Sequence, residues 1–108
     1  MTEIDLLYCT TATVAEAEAI AQKLVGERLA ACANIIPGMR SVYWWQGKLE
    51  QGEEVVLILK TRPDLIEAAT AAVKAAHSYS VPCVLPISVG PGGNPDYIAW
   101  LLGETGPR

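Results

Sequence analysis

The chain has 108 residues, a net charge of −4 and 51% hydrophobic residues. This length suits one hydrophobic core, so we predict a single domain over residues 1–108. Because Lys and Arg do not cluster, the chain lacks the basic surface that nucleic acids require. The longest aliphatic run, residues 55–59, is far shorter than the roughly 20 residues of a membrane-spanning helix, and the N-terminus is acidic where an export signal is basic. We therefore expect a cytoplasmic protein with no nucleic-acid or membrane partner.

The first half of the chain predicts a strand, a helix and a long hairpin. Residues 4–10, IDLLYCT, are mostly aliphatic and predict a strand buried on both faces. Thr13 with Glu16 three residues later is a capping-box pattern, which predicts that an amphipathic helix begins there. Residues 31–46, interrupted by Pro37-Gly38, are followed by GKLEQGE and EVVLILKT, which predicts a long, bent hairpin. The predicted buried stripe of the helix is Val14, Ala17, Ile20, Ala21, Leu24 and Leu29.

The second half predicts a helix, a strand and a short terminal helix. Pro63-Asp64 suits the first turn of a helix that runs through His77, and VLPIS, 84–88, suits a fourth strand. Asn94, Pro95 and Asp96 suit the start of the last helix, which makes the preceding GPGG a loop. The resulting βαββαβ order predicts an α+β ferredoxin-like sandwich with helices on one face of an antiparallel sheet. The predicted buried residues of the second helix are Leu65, Ala69, Ala72, Val73 and Ala76.

The stretch SVYWWQG places large side chains on both faces of one strand. Alternation sends Val42 and Trp44 to one side and Tyr43 and Trp45 to the other. Such surface needs a cover, because exposed aromatic patches favour association. The cover is either the protein's own helices, with Trp100 of the terminal helix over the second face, or another subunit. We predict a closed homo-oligomer, since the hairpin is longer than a ferredoxin-like domain needs.

Residues 27–61, ERLAACANIIPGMRSVYWWQGKLEQGEEVVLILKT, resemble the central signature of the CutA1 divalent-cation tolerance proteins. The stretches VPCVLPI, 81–87, and DYIAWL, 96–101, resemble later blocks of that family. The resemblance implies a ferredoxin-like subunit in a PII-like homotrimer whose long hairpin reaches across subunit boundaries. It also implies a role in tolerance of copper and other divalent metals, without an established reaction.

The resemblance implies a copper site as well. The family's proposed ligands, a cysteine of the first strand and a histidine after the second helix, correspond to Cys9 and His77. Ala76 stands where some members have a second histidine, and residues 77–83, HSYSVPC, replace the family's HPYE-x-PE pattern. The change removes two carboxylates and adds Cys83, so we expect a soft ion, copper or zinc, rather than magnesium or calcium.

Structural roles are the alternatives for each of these residues. The His77 ring is at a position where it can bond the last carbonyls of a helix. Cys9 and Cys32 can be small buried hydrophobes in strands, Cys32 as part of the core, and Cys83 can be inert. An odd number of cysteines without C-x-x-C fits neither a disulfide framework nor a zinc ribbon.

Two further functions stay open. Arg28 and Lys60 could bind a small anion or nucleotide in clefts between subunits, as in a PII-like sensor, although strand-end cations usually pair with acids such as Glu27. The protein could instead be a scaffold for an unknown partner. We expect no enzyme activity, because the sequence has no nucleophile elbow, no HExxH and a single histidine.

Overall fold

The structure, a computed structural model, describes residues 3–107. The predicted order of elements is confirmed, and one 3-10 turn, Pro63–Leu65, precedes the second helix. The strands pair antiparallel throughout in the order β2-β3-β1-β4, which is the ferredoxin-like arrangement. The elements are β1 (Asp5–Thr11), α1 (Val14–Gly26), β2 (Cys32–Trp45), β3 (Lys48–Thr61), α2 (Ile66–Ala76), β4 (Val84–Ser88) and α3 (Pro95–Gly103).

Helix α1 begins at the predicted cap. The Thr13 hydroxyl accepts a hydrogen bond from the Glu16 amide at 3.1 Å, which satisfies one of the unpaired N–H groups of the first turn. The Glu16 carboxylate accepts from the Ala12 amide at 3.0 Å, one residue before the position that a capping box normally uses. Asn94 caps α3 in the same way by accepting from the Asp96 amide at 3.0 Å.

One face of the sheet is closed by α1 and α2. Alternate residues of β1 and β3 are fully buried against alanine and aliphatic side chains of both helices. Three residues of the predicted stripes lie outside this core: Val14 is 40% exposed, Ala76 is exposed at the end of α2, and Leu65 is only half-buried. The fully buried residues of this face include Leu7, Cys9, Leu57, Leu59, Ile20, Leu24 and Val73.

The prediction of a first strand buried on both faces is confirmed only in part: Leu7 and Cys9 on the helix side have no exposed surface, and Thr10 on the other side is 7% exposed. On the other face of β1, Leu6 and Tyr8 are only partly buried, since neither α1 nor α2 covers that side. Helix α3 contacts β3 near Lys60, where the Tyr97 hydroxyl accepts from the lysine at 3.3 Å. Trp100 stays 45% exposed, so α3 does not bury it against the sheet.

The hairpin of β2 and β3 is the longest feature of the molecule. Each strand has 14 residues, about 46 Å at roughly 3.3 Å per residue, and the long axis of the molecule measures 45 Å. The turn is Gln46-Gly47, with φ of 49° and 79°, as a two-residue hairpin turn of type I′ requires. GKLEQGE is therefore mostly strand, because β3 already begins at Lys48.

Candidate functional site

A groove of about 620 Å³ lies on the face of the sheet that α1 and α2 leave open. Tyr8 and Thr10 of β1 form its floor, and the distal part of the hairpin forms one wall. The segment after α2, residues 79–83, forms the other wall. The sequence analysis indicated Cys83, which lines this groove, but it did not indicate the groove itself. The alternation of residues along a strand does not show which strands and loops lie next to each other in the fold.

A β-bulge decides which hairpin side chains face the groove. The register between β2 and β3 shifts between Ile36 and Met39, where Gly38 has a φ of 81°. Ile36 pairs with Val56 and Met39 pairs with Glu54, so both belong to the open face although they are an odd number of residues apart. The alternation predicted for SVYWWQG then places Tyr43 and Trp45 in the groove lining. Trp44 is not part of the lining, but Val42, on the same side of the strand as Trp44, is.

Glu54 is the centre of a hydrogen-bonded cluster in the groove. Its Oε1 accepts from the Ser41 hydroxyl at 2.6 Å and its Oε2 from the Tyr79 hydroxyl at 3.0 Å. Burial and then the Glu54 carboxylate raise the pKa of Tyr79 to about 12, so this phenol remains a donor at neutral pH. The Tyr8 hydroxyl donates to Met39 Sδ at 3.4 Å beside it. Glu54, Tyr79 and Ser41 were not among the residues that the sequence indicated.

Both nitrogens of His77 are engaged in hydrogen bonds. Nε2 lies 2.7 Å from the Thr10 carbonyl oxygen, and Nδ1 accepts from the Tyr79 amide at 3.0 Å. These partners assign the neutral tautomer with its proton on Nε2, and the side chain has no exposed surface. His77 caps α2 as expected from its position, but its ring binds the strand β1 rather than the last carbonyls of its own helix.

Glu16 of α1 contacts the segment that contains His77, at the end of α2. Its Oε2 accepts from the Ser78 amide at 2.7 Å and lies 3.8 Å from His77 Nδ1, which carries no proton in this tautomer. Burial acts to raise the pKa of Glu16, but hydrogen bonds from Ser78 and Ala12 outweigh it, so the pKa lies below its ordinary value. The carboxylate thus joins the start of α1 to the end of α2.

The structure brings the three predicted metal ligands to one end of β1. Cys9 pairs with Val84, so Cys83 lies one position beyond that pair, and His77 bonds the carbonyl of the next residue, Thr10. Cys9 is fully buried on the helix side, whereas Cys83 is half-buried and lines the groove. Within residues 3–107, however, no group of three or more His, Cys, Asp or Glu is arranged to hold a metal ion.

Both thiols near His77 are shifted toward the protonated form. Burial, and then the neighbouring Cys83, raise the pKa of Cys9 to about 12. Burial and then Glu54 raise the pKa of Cys83, and a hydrogen bond with Thr10 partly offsets this. Cys32 is far from this site, because it pairs with Lys60 at the opposite end of the sheet. It is half-buried, so the expectation that it belongs to the core is wrong.

The structure does not bring Arg28 or Lys60 to the groove. Arg28 Nη1 donates to the Glu104 carboxylate at 2.6 Å and to the Glu104 carbonyl at 3.3 Å, so its partner is the C-terminal end of α3 and not Glu27. Glu27 pairs with Lys23 at 2.9 Å. Lys60 Nζ lies 5.4 Å from the centroid of the Tyr97 ring.

In the described part of the chain, no helix is long and apolar enough to cross a membrane.

The chain matches known proteins along nearly its whole length. The family model described as CutA1 divalent ion tolerance protein matches residues 5–104. A divalent-cation tolerance protein CutA of Pyrococcus horikoshii is 43% identical over 100 residues, which are 93% of this chain and 96% of that protein. A chloroplastic CutA 1 protein of Oryza sativa is also 43% identical over 100 residues, but the chain spans only 56% of its length.

The solved structures agree with the sequence comparison. The crystal structure of CutA1 from Oryza sativa superposes with a TM-score of 0.93 at 40% identity, covering 99% of this chain and 97% of that one. The likeness in fold therefore covers nearly the whole of both chains.

Proposed function

The chain belongs to the CutA1 family of divalent ion tolerance proteins, and from this we propose that it acts as a cytoplasmic homotrimer that binds copper or a similarly soft ion, such as zinc. The single observation that supports the metal proposal is that Cys9, His77 and Cys83 all lie at the end of β1 that contains Thr10, from which a movement of their side chains would have to form the site. Thiolate and imidazole are the ligands that such ions prefer. The role that we propose is binding rather than turnover.

Cys83 is the residue through which an ion would enter. Its thiol borders the groove, whereas Cys9 lies on the helix side and is reached only through local movement. Binding must displace the protons of the thiols and one hydrogen bond of His77, so it releases protons and weakens as pH falls. Only an ion with high affinity for thiolate offsets these costs, which favours copper over magnesium or calcium.

The open face of the sheet supports a trimer. Leu85 and Ile87 of β4 are 59% and 49% exposed on this face, and Trp45, at the end of the hairpin strand β2, is 41% exposed. Burying apolar surface contributes about 25 cal/mol per Å², so covering these side chains favours association. The hairpin, which extends beyond the rest of the sheet, is the part that would reach a neighbouring subunit.

The test is a titration of the metal-free protein with Cu(I), Cu(II) and Zn(II) against a competing chelator, with the oligomeric mass measured by sedimentation. Cys83→Ser, Cys9→Ser and His77→Ala should each weaken Cu(I) binding by at least the roughly 10–100-fold that loss of a supporting residue costs at metal sites. Cys32→Ser is the matched control, since it removes a thiol at the far end of the sheet. We expect a mass of three subunits of 11.6 kDa.

Two results would contradict the proposal. Equal weakening by Cys32→Ser would show non-specific thiol binding, and saturable binding that survives Cys83→Ser and His77→Ala would place the site elsewhere.

The alternative of an anion sensor has a separate test, because its binding should depend on Arg28 and Lys60 and should be unaffected by Cys83→Ser.

A further inference from the structure

The proposed trimer buries the charge of Glu54, which has no cation beside it in its own subunit. Glu54 is the only residue with a formal charge at neutral pH among the described residues that line the groove, and the groove lies on the face that a neighbouring subunit would cover. A carboxylate buried in an interface is costly unless an opposite charge meets it. We propose that Lys48 of the partner subunit, at the tip of its hairpin, enters the groove and pairs with Glu54. This inference rests on the proposed trimer.

The Glu54 carboxylate is held in place and retains capacity for a further donor. Ser41 and Tyr79 each donate one hydrogen bond, one to each carboxylate oxygen. A carboxylate has about four lone-pair positions, so about two remain for the N–H groups of an ammonium. Because both donors belong to its own subunit, the carboxylate is oriented before the neighbouring subunit arrives, which lowers the entropic cost of the contact.

The lysines and arginines of the described chain leave few candidates for this donor. Three of them already pair with acids of their own subunit, and Lys60 lies over an aromatic ring. Lys74 is exposed on α2, which covers the other face of the sheet, and Arg40 stands directly across from Glu53. Lys48 is exposed, and no hydrogen bond or ion pair engages its side chain within residues 3–107.

The hairpin presents Lys48 on the open face, beyond the reach of the groove of its own subunit. Lys48 pairs with Trp45 across the turn, so their side chains share one face, and Trp45 lines the groove. Six positions of β3 separate Lys48 from Glu54, about 20 Å at roughly 3.3 Å per residue. The pair can therefore form only between subunits. A head-to-tail contact of this kind, repeated around a three-fold axis, closes a ring.

The lining of the groove suits a lysine side chain. The ammonium of a lysine sits on a four-carbon stem that packs against apolar surface while its charge meets an acid. Aromatic faces attract ammonium groups, and the attraction strengthens where water is excluded. The aromatic side chains of the lining are Tyr8, Tyr43, Trp45 and Tyr79.

A double-mutant cycle on the assembled protein tests the pair. Lys48→Met keeps the stem but removes the ammonium, and Glu54→Gln keeps the shape but removes the charge. Sedimentation in a series of urea concentrations measures how strongly each variant stays trimeric. We expect Lys48→Met to weaken assembly about 30-fold or more per interface, because it leaves the carboxylate buried without its partner. The double variant should assemble no more weakly than the weaker single variant, since both changes remove the same interaction.

Glu53→Gln is the matched control. Glu53 is the residue next to Glu54, is exposed and does not line the groove, so its effect and that of Lys48→Met should simply add.

A carbodiimide, which joins a carboxylate and an amine that are in contact, identifies the partner directly. In a trimer assembled from isotopically labelled and unlabelled subunits, mass spectrometry should find Glu54 of one subunit joined to Lys48 of the partner subunit. Lys48→Arg keeps the charge but offers no amine, so this variant should stay trimeric and lose the cross-link.

The results separate a failure of the pair from a failure of the trimer. A wild type that sediments as a monomer would contradict the proposed trimer, and the pairing with it. A trimer in which the effects of Lys48→Met and Glu54→Gln add, or in which Glu54 is joined to a different lysine, would contradict the pairing alone. Circular dichroism of each variant confirms that the subunit is folded.

Discussion

The two faces of the sheet contrast sharply although the same strands form both. On the helix-covered face, Leu7 and Leu57 have no exposed surface. On the open face, Leu85 and Ile87, in the strand beside Leu7, are about half exposed, and the groove adds Glu54 to a wall of aromatic side chains. The helices of the chain itself therefore cover one face of the sheet, and the other face keeps apolar surface that only another molecule can cover.

The contrast explains a hydrophobic content of 51% in so small a domain. Some of these hydrophobic residues lie on the open face and on the hairpin, where they contribute to stability only once another surface covers them. Substitutions on the two faces should accordingly differ in what they change, and three predictions test this difference.

The largest expected effect is that of Leu7→Ala on the helix-covered face. Removing a fully buried leucine side chain should lower the free energy of unfolding by about 2–5 kcal/mol, measured by chemical denaturation. Leu85→Ala, at a position 59% exposed on the open face, should change the folding of a single subunit by no more than about 0.5 kcal/mol.

The dependence on protein concentration sharpens this comparison. A cost of Leu85→Ala that is seen only at concentrations where the oligomer forms would place a neighbouring subunit over the open face. If Leu85→Ala were as costly as Leu7→Ala at every concentration, the open face would be part of the subunit's own core, and the contrast between the faces would be wrong.

The second-largest effect is expected for His77, which connects the end of α2 to β1. His77→Ala should lower the free energy of unfolding by about 1–3 kcal/mol, because it leaves the Thr10 carbonyl and the Tyr79 amide without their buried partner. Lys74→Ala, at an exposed position of the same helix, is the control and should stay within about 0.5 kcal/mol. An equal loss in both variants would refute a structural role specific to the imidazole.

The smallest effect is that of Glu16 on acid stability. Its pKa in the folded chain is below the ordinary value of 4.5, so its contribution is present above that pH and is lost as pH falls through the lower, folded value. The stability difference between the wild type and Glu16→Gln should therefore shrink below about pH 4.5. Denaturation curves at several pH values measure it, with Glu18→Gln, exposed on the same helix, as the control. A difference that stays constant down to pH 2 would contradict this linkage.

The fold was largely predictable because local signals agreed with it. The Thr13 cap, the proline before α2 and the alternation of SVYWWQG each lie where the structure has them. The errors fall where burial depends on neighbours that a pattern does not reveal. Val14 has helix periodicity but faces solvent, and Cys32 lies in a strand but is only half-buried.

The candidate site was less predictable, for a different physical reason. The family resemblance directed attention to Cys9 and His77, but the groove depends on Glu54 and Tyr79, which are 25 residues apart in sequence and meet only through the fold. A glutamate in a strand is usually a solvated surface residue. Only the hydroxyl partners that the structure assigns to Glu54 identify it as part of a site.

The bulge at Pro37-Gly38 has a consequence for how this protein can change in evolution. Two residues, Pro37 and Gly38, stand opposite a single residue of β3 between the pairs Ile36–Val56 and Met39–Glu54. Deleting one of them would restore plain alternation with Met39 still on the open face, so the side chains beyond it would keep their directions. A one-residue deletion closer to the tip would instead reverse the side chains beyond it, so the bulge is a place where β2 can change its length and still keep Trp45 rather than Trp44 in the groove wall.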